Sequence, residues 1–270
     1  MAEGLGGTAL LPHCPASALT WHLWIDETPR PGWTNMAIDQ ALLERAERQG
    51  ESWLRLYQWA PYCLSFGRHE PASRRYDAQH ISACGIDTVR RPTGGRAVWH
   101  AQELTYSVAT PYSCFGTLNA AYLEIHRMLA DALLMLGAAV SLAGRRRTPP
   151  LDSGACFASP VGGEIMMGGR KVVGSAQLRS GTALLQHGSV LLQDSQNVVR
   201  ELMRQEPMPN PSCVSVGPWA EPGEVAEAIS AVATRRWQGD WVCATDPASV
   251  LEEASIHYSH YSSPAWTWSR

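Results

Sequence analysis

The chain has 270 residues, 45% of them hydrophobic. That is near the upper limit of roughly 250–300 residues for one hydrophobic core and excludes a disordered chain. Lys plus Arg is 22 against 25 Asp plus Glu, a net charge of -3, so composition gives no support for nucleic-acid binding. No apolar run approaches the roughly 18–20 residues of a membrane span, and Met1 to Ala18 has no Lys or Arg to form the charged start of a secretory signal. Residues 1–20 read as a flexible tail on a cytoplasmic protein. The seven cysteines are widely spaced with no CxxC pair, which argues against a disulfide framework and against a zinc site.

The predicted elements follow in chain order. Asn35 to Arg48 carries Met36, Ile38, Leu42 and Leu43 among charged residues and predicts an amphipathic helix ended by Gly50. Ser52 to Tyr57 and Tyr62 to Phe66 predict strands. Ser73 to Ala83 predicts one polar helix closing at Gly85. Asp87 to Arg90 and Leu104 to Val108 predict two more strands. Leu118 to Leu136 has apolar residues at helical spacing and is stopped by Gly137. Arg145 to Pro150 is a loop. Glu164 to Leu192 predicts a three-strand meander with turns at Gly168-Gly169 and Ser180-Gly181. Val198 to Met203 and Glu224 to Trp237 predict later helices. Ser262 to Arg270 shows no period and is read as part of a tail. Strands and helices mix without strict βαβ alternation, which implies one α+β domain with a largely antiparallel or mixed sheet.

Four clusters bear chemistry. Of the 22 basic residues only Lys171 is lysine, which marks either a surface survivor or a position that needs a compact ammonium. It lies in Gly169-Arg170-Lys171-Val172-Val173-Gly174-Ser175-Ala176-Gln177. In a strand Lys171, Val173 and Ser175 share a face, and Gly174 lets a ligand or another backbone lie close. The second cluster is Arg90-Arg91-Pro92-Thr93-Gly94-Gly95-Arg96-Ala97-Val98, with His100 following. Its glycines open the backbone to a ligand, and its three arginines suit an anion such as a phosphate or carboxylate. It is neither a Walker loop nor GxGxxG. The third is Gln186-His187-Gly188-Ser189, where His187 interrupts an apolar strand. A hydrogen-bonded core histidine is the ordinary reading of such a residue. The fourth is Gly154-Ala155-Cys156-Phe157, just upstream of the lysine strand, where a nearby ammonium would favour the thiolate.

Together these clusters resemble the biotin/lipoate protein ligase superfamily, and within it the cysteine-dependent octanoyltransferases of lipoate assembly. The likeness runs from about Trp21 to Trp241. It also takes in Asn35-Met36-Ala37-Ile38-Asp39, Pro61 to Gly67, and Glu103-Leu104-Thr105-Tyr106-Ser107. The resemblance implies a single catalytic domain, placed at 21–250, with 251–270 as a C-terminal tail. It implies that Cys156 carries the acyl thioester and that Lys171 activates the thiol and polarises the acyl carbonyl. It implies substrate binding by Arg91, Thr93, Gly94, Gly95, Arg96, His100, Gly174, Ser175, Ala176, His187 and Gly188, with oxyanion donors near Gly94-Gly95 and Gly174-Ser175. No cofactor or metal is implied, because the octanoyl group arrives on the phosphopantetheine of acyl carrier protein. The implied acceptors are lipoyl-domain proteins: glycine cleavage H protein and the acyltransferase subunits of 2-oxoacid dehydrogenases. No nucleic acid or membrane partner is implied.

The alternatives are an ATP-dependent lipoate–protein ligase and an amidotransferase between lipoyl domains. The ligase does not require Cys156 and often carries an accessory domain, for which the residues after Trp241 are few. The amidotransferase usually has a less similar Gly-Gly motif. Gly67-Arg68-His69-Glu70 departs from the expected Gly-x-x-Gln, so the pocket is expected to differ there. Arg145 to Arg147 reads as a solvated loop, with contact to an acidic carrier protein as the other possibility.

Overall fold

A computed structural model describes residues 19–143, 163–203 and 219–270. Strand β1 (Thr20–Arg30) leads into helix α1 (Gly32–Gln49). The predicted face of α1 is buried, and Gly50 ends the helix with φ 72, a left-handed conformation that glycine adopts without penalty. Strands β2 (Ser52–Trp59) and β3 (Cys63–Phe66) follow, then helices α2 (Ala72–Arg75) and α3 (Ala78–Ala83) and strands β4 (Asp87–Arg90), β5 (Val98–His100) and β6 (Glu103–Pro111). After helix α4 (Leu118–Met135) come strands β7 (Val140–Leu142), β8 (Ile165–Met167), β9 (Arg170–Ser180) and β10 (Ala183–Leu191). Helices α5 (Val198–Glu201) and α6 (Pro222–Arg236), strand β11 (Asp240–Cys243) and helices α7 (Ala248–Ser255), α8 (Tyr258–Tyr261) and α9 (Pro264–Thr267) complete it.

Eight strands form a mixed sheet in the order β11-β1-β2-β6-β10-β9-β8-β7. Strand β1 is parallel to both its neighbours, and the remaining pairs are antiparallel. The architecture is therefore the mixed α+β type that the pattern implies. The predicted meander is β8-β9-β10, and its first turn has Gly168 at φ 56 and Gly169 at φ 78. Two consecutive positive φ values are what a two-residue hairpin of this hand requires. A smaller sheet, β4-β3-β5, stands beside the large one.

The large sheet is covered on both faces. Leu54, Tyr106, Val108, Leu184 and Val190 pack with Ile125, Leu129 and Leu133 of α4 and Ile229 of α6. The alternate residues Trp53, Tyr57, Ala109 and Leu185 pack with Met36, Ile38 and Leu42 of α1. That division follows the period-two alternation of a strand. Each fully buried Leu, Ile or Val contributes about 1.5–3 kcal/mol relative to exposure. The small sheet has its own core, with Leu64 and Phe66 against Tyr76, Val199 and Leu202.

The structure corrects several expectations. The helix expected over Ser73 to Ala83 is two short ones, because Tyr76 turns extended and Asp77 caps α3 through Gln79 and His80. Strands β1, β5, β7 and β11 carry no pattern that set them apart in the sequence. Residues 251–270 are not a tail. They fold as helices, bury Tyr261 and pack on α1. Trp266 Nε1 donates to the Arg90 carbonyl at 3.0 Å, and Arg90 Nε donates to the carbonyls of Trp266 and Thr267 at 3.1 Å. These are long-range contacts, which no local period announces. Residues 1–18, Arg145 to Arg147 and Cys156 lie outside the described residues. Among the described residues, no helix is long and apolar enough to cross a membrane, Cys63, Cys84, Cys114 and Cys243 form no disulfide, and no cluster suits a metal ion.

Candidate active site

A cleft opens between the large sheet, the small sheet and α1. Its walls include Met36, Trp59, Arg91, His100, Gly174, Ser175, Ala176, His187 and Gly188. Residues from β9 and β10 come together here through their antiparallel register, which sets Gly188 against Ser175 and His187 against Ala176. Gly188 is required by that approach. A Cβ there would stand 2.4 Å from the Gly174 carbonyl oxygen and 2.6 Å from Ser175 Oγ.

Arg91 braces the Gly-Gly loop and Arg90 the 67–70 segment beside it. Arg90 Nη1 donates to the carbonyls of Gly67, Arg68 and Glu70. Arg91 donates to the Ser65 carbonyl and hydroxyl and to the carbonyls of Gly94 and Arg96. Where the sequence suggested anion binding, the Arg91 guanidinium holds the main chain of the loop and the Arg90 guanidinium holds the main chain at Gly67, Arg68 and Glu70, although Arg91 also lines the cleft. Arg96 is buried. Gly95 has φ +90, and a Cβ on it would come within 4.0 Å of Ala176 Cβ, so the loop lies on β9. Thr93, Gly94, Gly95 and Arg96 are outside the lining of the cleft.

The two histidines hold separate networks. His100 Nδ1 donates to Glu103 Oε1 at 2.6 Å, and Trp59 stacks on its ring at 3.9 Å. Burial lowers the His100 pKa although Glu103 opposes this. The neutral ring therefore accepts a hydrogen bond from the Ser65 hydroxyl at Nε2, 2.6 Å away, while Ser65 Oγ accepts from Arg91. His187 Nδ1 donates to Asp39 Oδ2 at 2.8 Å, and its Nε2 lies 2.6 Å from Thr93 Oγ1. The ordinary reading of His187 as a hydrogen-bonded core residue holds, and it also lines the cleft. Asp39 is shared further with Tyr57 and with Arg55, whose guanidinium also bonds Asp26 at 2.6 Å and Asn35 at 2.7 Å.

Lys171 is buried, with Nζ 2.5 Å from Glu164 Oε1. That removes the reading of the sole lysine as a surface survivor. Near it, on the α4 face of the sheet, Tyr106 and Gln186 of the sequence motifs meet His126, which no motif singled out, around Ser175. Burial and the nearby Lys171 cation push the His126 pKa down to about 4, against the Gly163 carbonyl, which raises it. Asp39, Arg55, Glu164 and His126 were the residues missed. The available signal was polar side chains interrupting buried faces, such as Asn35 and Asp39 one helical turn apart on α1.

The chain belongs to the lipoyl protein ligase A/B catalytic domain family, whose model matches residues 31–215. It is similar to Octanoyltransferase LipM of Moorella thermoacetica, 41% identical over 181 residues, 65% of this chain and 66% of that one. It is likewise similar to Octanoyltransferase LipM of Carboxydothermus hydrogenoformans, 41% identical over 177 residues, 64% of this chain and 65% of that one. The chain thus covers just under two thirds of the length of these two relatives. A solved bi-partite lipoate protein ligase from Thermoplasma acidophilum, studied with its E2 lipoyl domain, has a TM-score of 0.72. It is 19% identical, covers 93% of this chain and 97% of its own, and shows the shared fold.

Proposed function

We propose that the protein is an acyltransferase of lipoate biosynthesis that moves an octanoyl group from octanoyl-acyl carrier protein to a lysine of a lipoyl domain. The observation that carries this reading is the 41% identity to an octanoyltransferase over 181 residues, beside a family match over residues 31–215, the range that contains Cys156, Lys171 and the Gly-Gly loop. The buried setting of Lys171 supports it further, since an ammonium there suits thiolate stabilisation better than surface charge.

The chemistry needs two steps. The Cys156 thiolate attacks the donor thioester carbonyl, a new C–S bond forms, and the phosphopantetheine sulfur leaves and takes up a proton. The lysine amine of the acceptor then attacks the acyl-enzyme: the C–N bond forms, the C–S bond breaks, and the proton shed by nitrogen goes to the Cys156 sulfur. Covalent catalysis splits one transfer into two easier ones. Exchange of thioester for thioester is nearly isoenergetic and amide formation is downhill, so ATP is not required. Main-chain N–H groups around Gly174-Ser175, which line the cleft, are the proposed oxyanion donors. The acceptors on this reading are glycine cleavage H protein and 2-oxoacid dehydrogenase subunits.

The test is intact-protein mass after incubation with octanoyl-acyl carrier protein and no ATP. A hydroxylamine-sensitive octanoyl adduct on the wild type and none on Cys156→Ser is the expected result. Modification of a lipoyl domain only with ATP and free acid would instead make the protein a ligase.

A further inference from the structure

A second groove adjoins the cleft, between α1, the arginine loop and the C-terminal helices. Its residues succeed those of the cleft on three elements at once. Gln40 follows Met36 by one helical turn on α1, Pro92 follows Arg91 in the loop, and Leu178 follows Ala176 on the same face of β9. Cleft and groove therefore make one trough along the α1 face of the sheet. His260 and Trp266, with ring centroids 4.4 Å apart, form the outer wall of the groove. These two residues lie beyond 31–215, the range that the family match covers. Arg68 lines the groove as well. It stands in Gly67-Arg68-His69-Glu70, the segment that departs from the expected Gly-x-x-Gln. Its main-chain N–H donates to the Thr93 carbonyl at 2.8 Å, which fixes it beside the Gly-Gly loop.

Charge is divided across the groove. Arg68 is exposed, and its guanidinium makes no hydrogen bond or ion pair among the described residues. Arg179 is engaged elsewhere, over the Tyr112 ring at 4.1 Å and on the Gly181 carbonyl. Burial and the neighbouring His257 lower the His260 pKa, so that ring is neutral at ordinary pH. On the α1 wall stand two carboxylates, Glu44 bonded to Gln40 Nε2 at 2.9 Å and Glu47 bonded to the Ser180 hydroxyl at 3.3 Å. An anion in the groove is thus turned away from α1 and toward Arg68 on the loop wall. We propose that the groove holds the phosphopantetheine arm that carries the octanoyl thioester, with Arg68 paired to its phosphodiester. The inference rests on the transferase reading above. Such an arm is narrow, and its thioester end lies in the cleft when the rest follows the trough. Leu43 and Leu178 give its chain an apolar bed. Gln40 Nε2 spends one proton on Glu44 and has a second for an amide carbonyl. The guanidinium offers paired N–H donors that match phosphate oxygens.

The test measures octanoyl adduct formation with three donors: octanoyl-acyl carrier protein, octanoyl-phosphopantetheine, and octanoyl-pantetheine, which lacks the phosphate. Arg68→Gln is expected to raise the half-saturating concentration of the first two about tenfold, the scale of one charge-assisted hydrogen bond at an exposed site. The third is expected to change by less than about twofold, and the maximal rate of all three to stay the same. Arg68→Lys is expected to keep most of the affinity, since an ammonium still meets a phosphate as a point charge. Added salt is expected to weaken octanoyl-phosphopantetheine on the wild type and to matter less on Arg68→Gln. Both variants keep the main-chain bond to Thr93 and bury no new group, so the fold is retained. A loss confined to octanoyl-acyl carrier protein would set Arg68 against the surface of the carrier itself and overturn the inference. An equal loss with all three donors, or no loss, would also overturn it. No adduct on the wild type from any donor would overturn the transferase reading as well, whereas an adduct whose donor preference ignores Arg68 overturns this inference alone.

Discussion

Lys171 shows how a single residue is set by what surrounds it. Its ammonium is buried against Glu164, and a guanidinium is wider, planar and directed differently. Lys171→Arg is expected to keep the charge and still lose most of the transfer activity, at least about 100-fold, read as the rate of octanoyl adduct formation. Near-normal turnover would refute the role. His126 makes a second statement at this scale, about stability. Burial, aided by Lys171, lowers its pKa to about 4 from an ordinary value of 6.5. The unfolded chain therefore takes up the proton first as pH falls. The stabilisation is complete above about pH 6.5 and is lost progressively down to about pH 4, roughly 3 kcal/mol in all. Urea unfolding across that range is expected to show this loss in the wild type and a shallower one in His126→Phe. Of these two residues, Lys171 was visible as the sole lysine. His126 was one polar residue within a helical pattern, and only its packing against Ser175 and Gly163 gives it a task.

Between elements, the end of β3 and the Gly-Gly loop meet with no space between them. A Cβ on Gly67 would stand 1.9 Å from the Gly95 carbonyl oxygen and 2.6 Å from its carbon. Both are main-chain atoms, so the loop must move. Gly67→Ala is expected to slow acylation by at least about tenfold, since displacement of a loop by about 1 Å can cost far more than that. An unchanged rate would mean that the loop position does not govern the site. Hairpins and long helices were legible because their signals are local: Gly168-Gly169 for the β8–β9 turn, and Leu118 to Leu136 for α4. Strand β1 was not, because its Asp26 is satisfied by Arg30 and Arg55, and a buried acid breaks the alternation that marks a strand. The helix over Ser73 to Ala83 was misjudged for a related reason. Asp77 favours starting a new helix over continuing the old one, and Tyr76 pairs with distant Met203.

Across the whole molecule, the C-terminal segment closes the fold onto the arginine loop. Trp266 and Arg90 bond each other's main chain, and Ser73 N–H donates to the Arg270 carbonyl at 2.7 Å. Trp266→Ala is expected to destabilise the protein by about 2 kcal/mol from lost burial, measured by thermal or urea unfolding, and to reduce acylation as Arg90 loosens. A variant of unchanged stability would show that α9 is not a brace. The sequence by itself determined the mixed α+β class, the main helices and hairpins, the family, and the segments that bear the chemistry, because composition, period and short motifs are properties of neighbouring residues. The tertiary structure decided which guanidinium groups hold the main chain and how Lys171 is paired. It also decided that His126 and Ser175 meet, and that the last twenty residues fold as helices and pack on α1. Each of those facts depends on residues far apart in the chain, whose partners are selected by packing and by the need to satisfy every buried polar group.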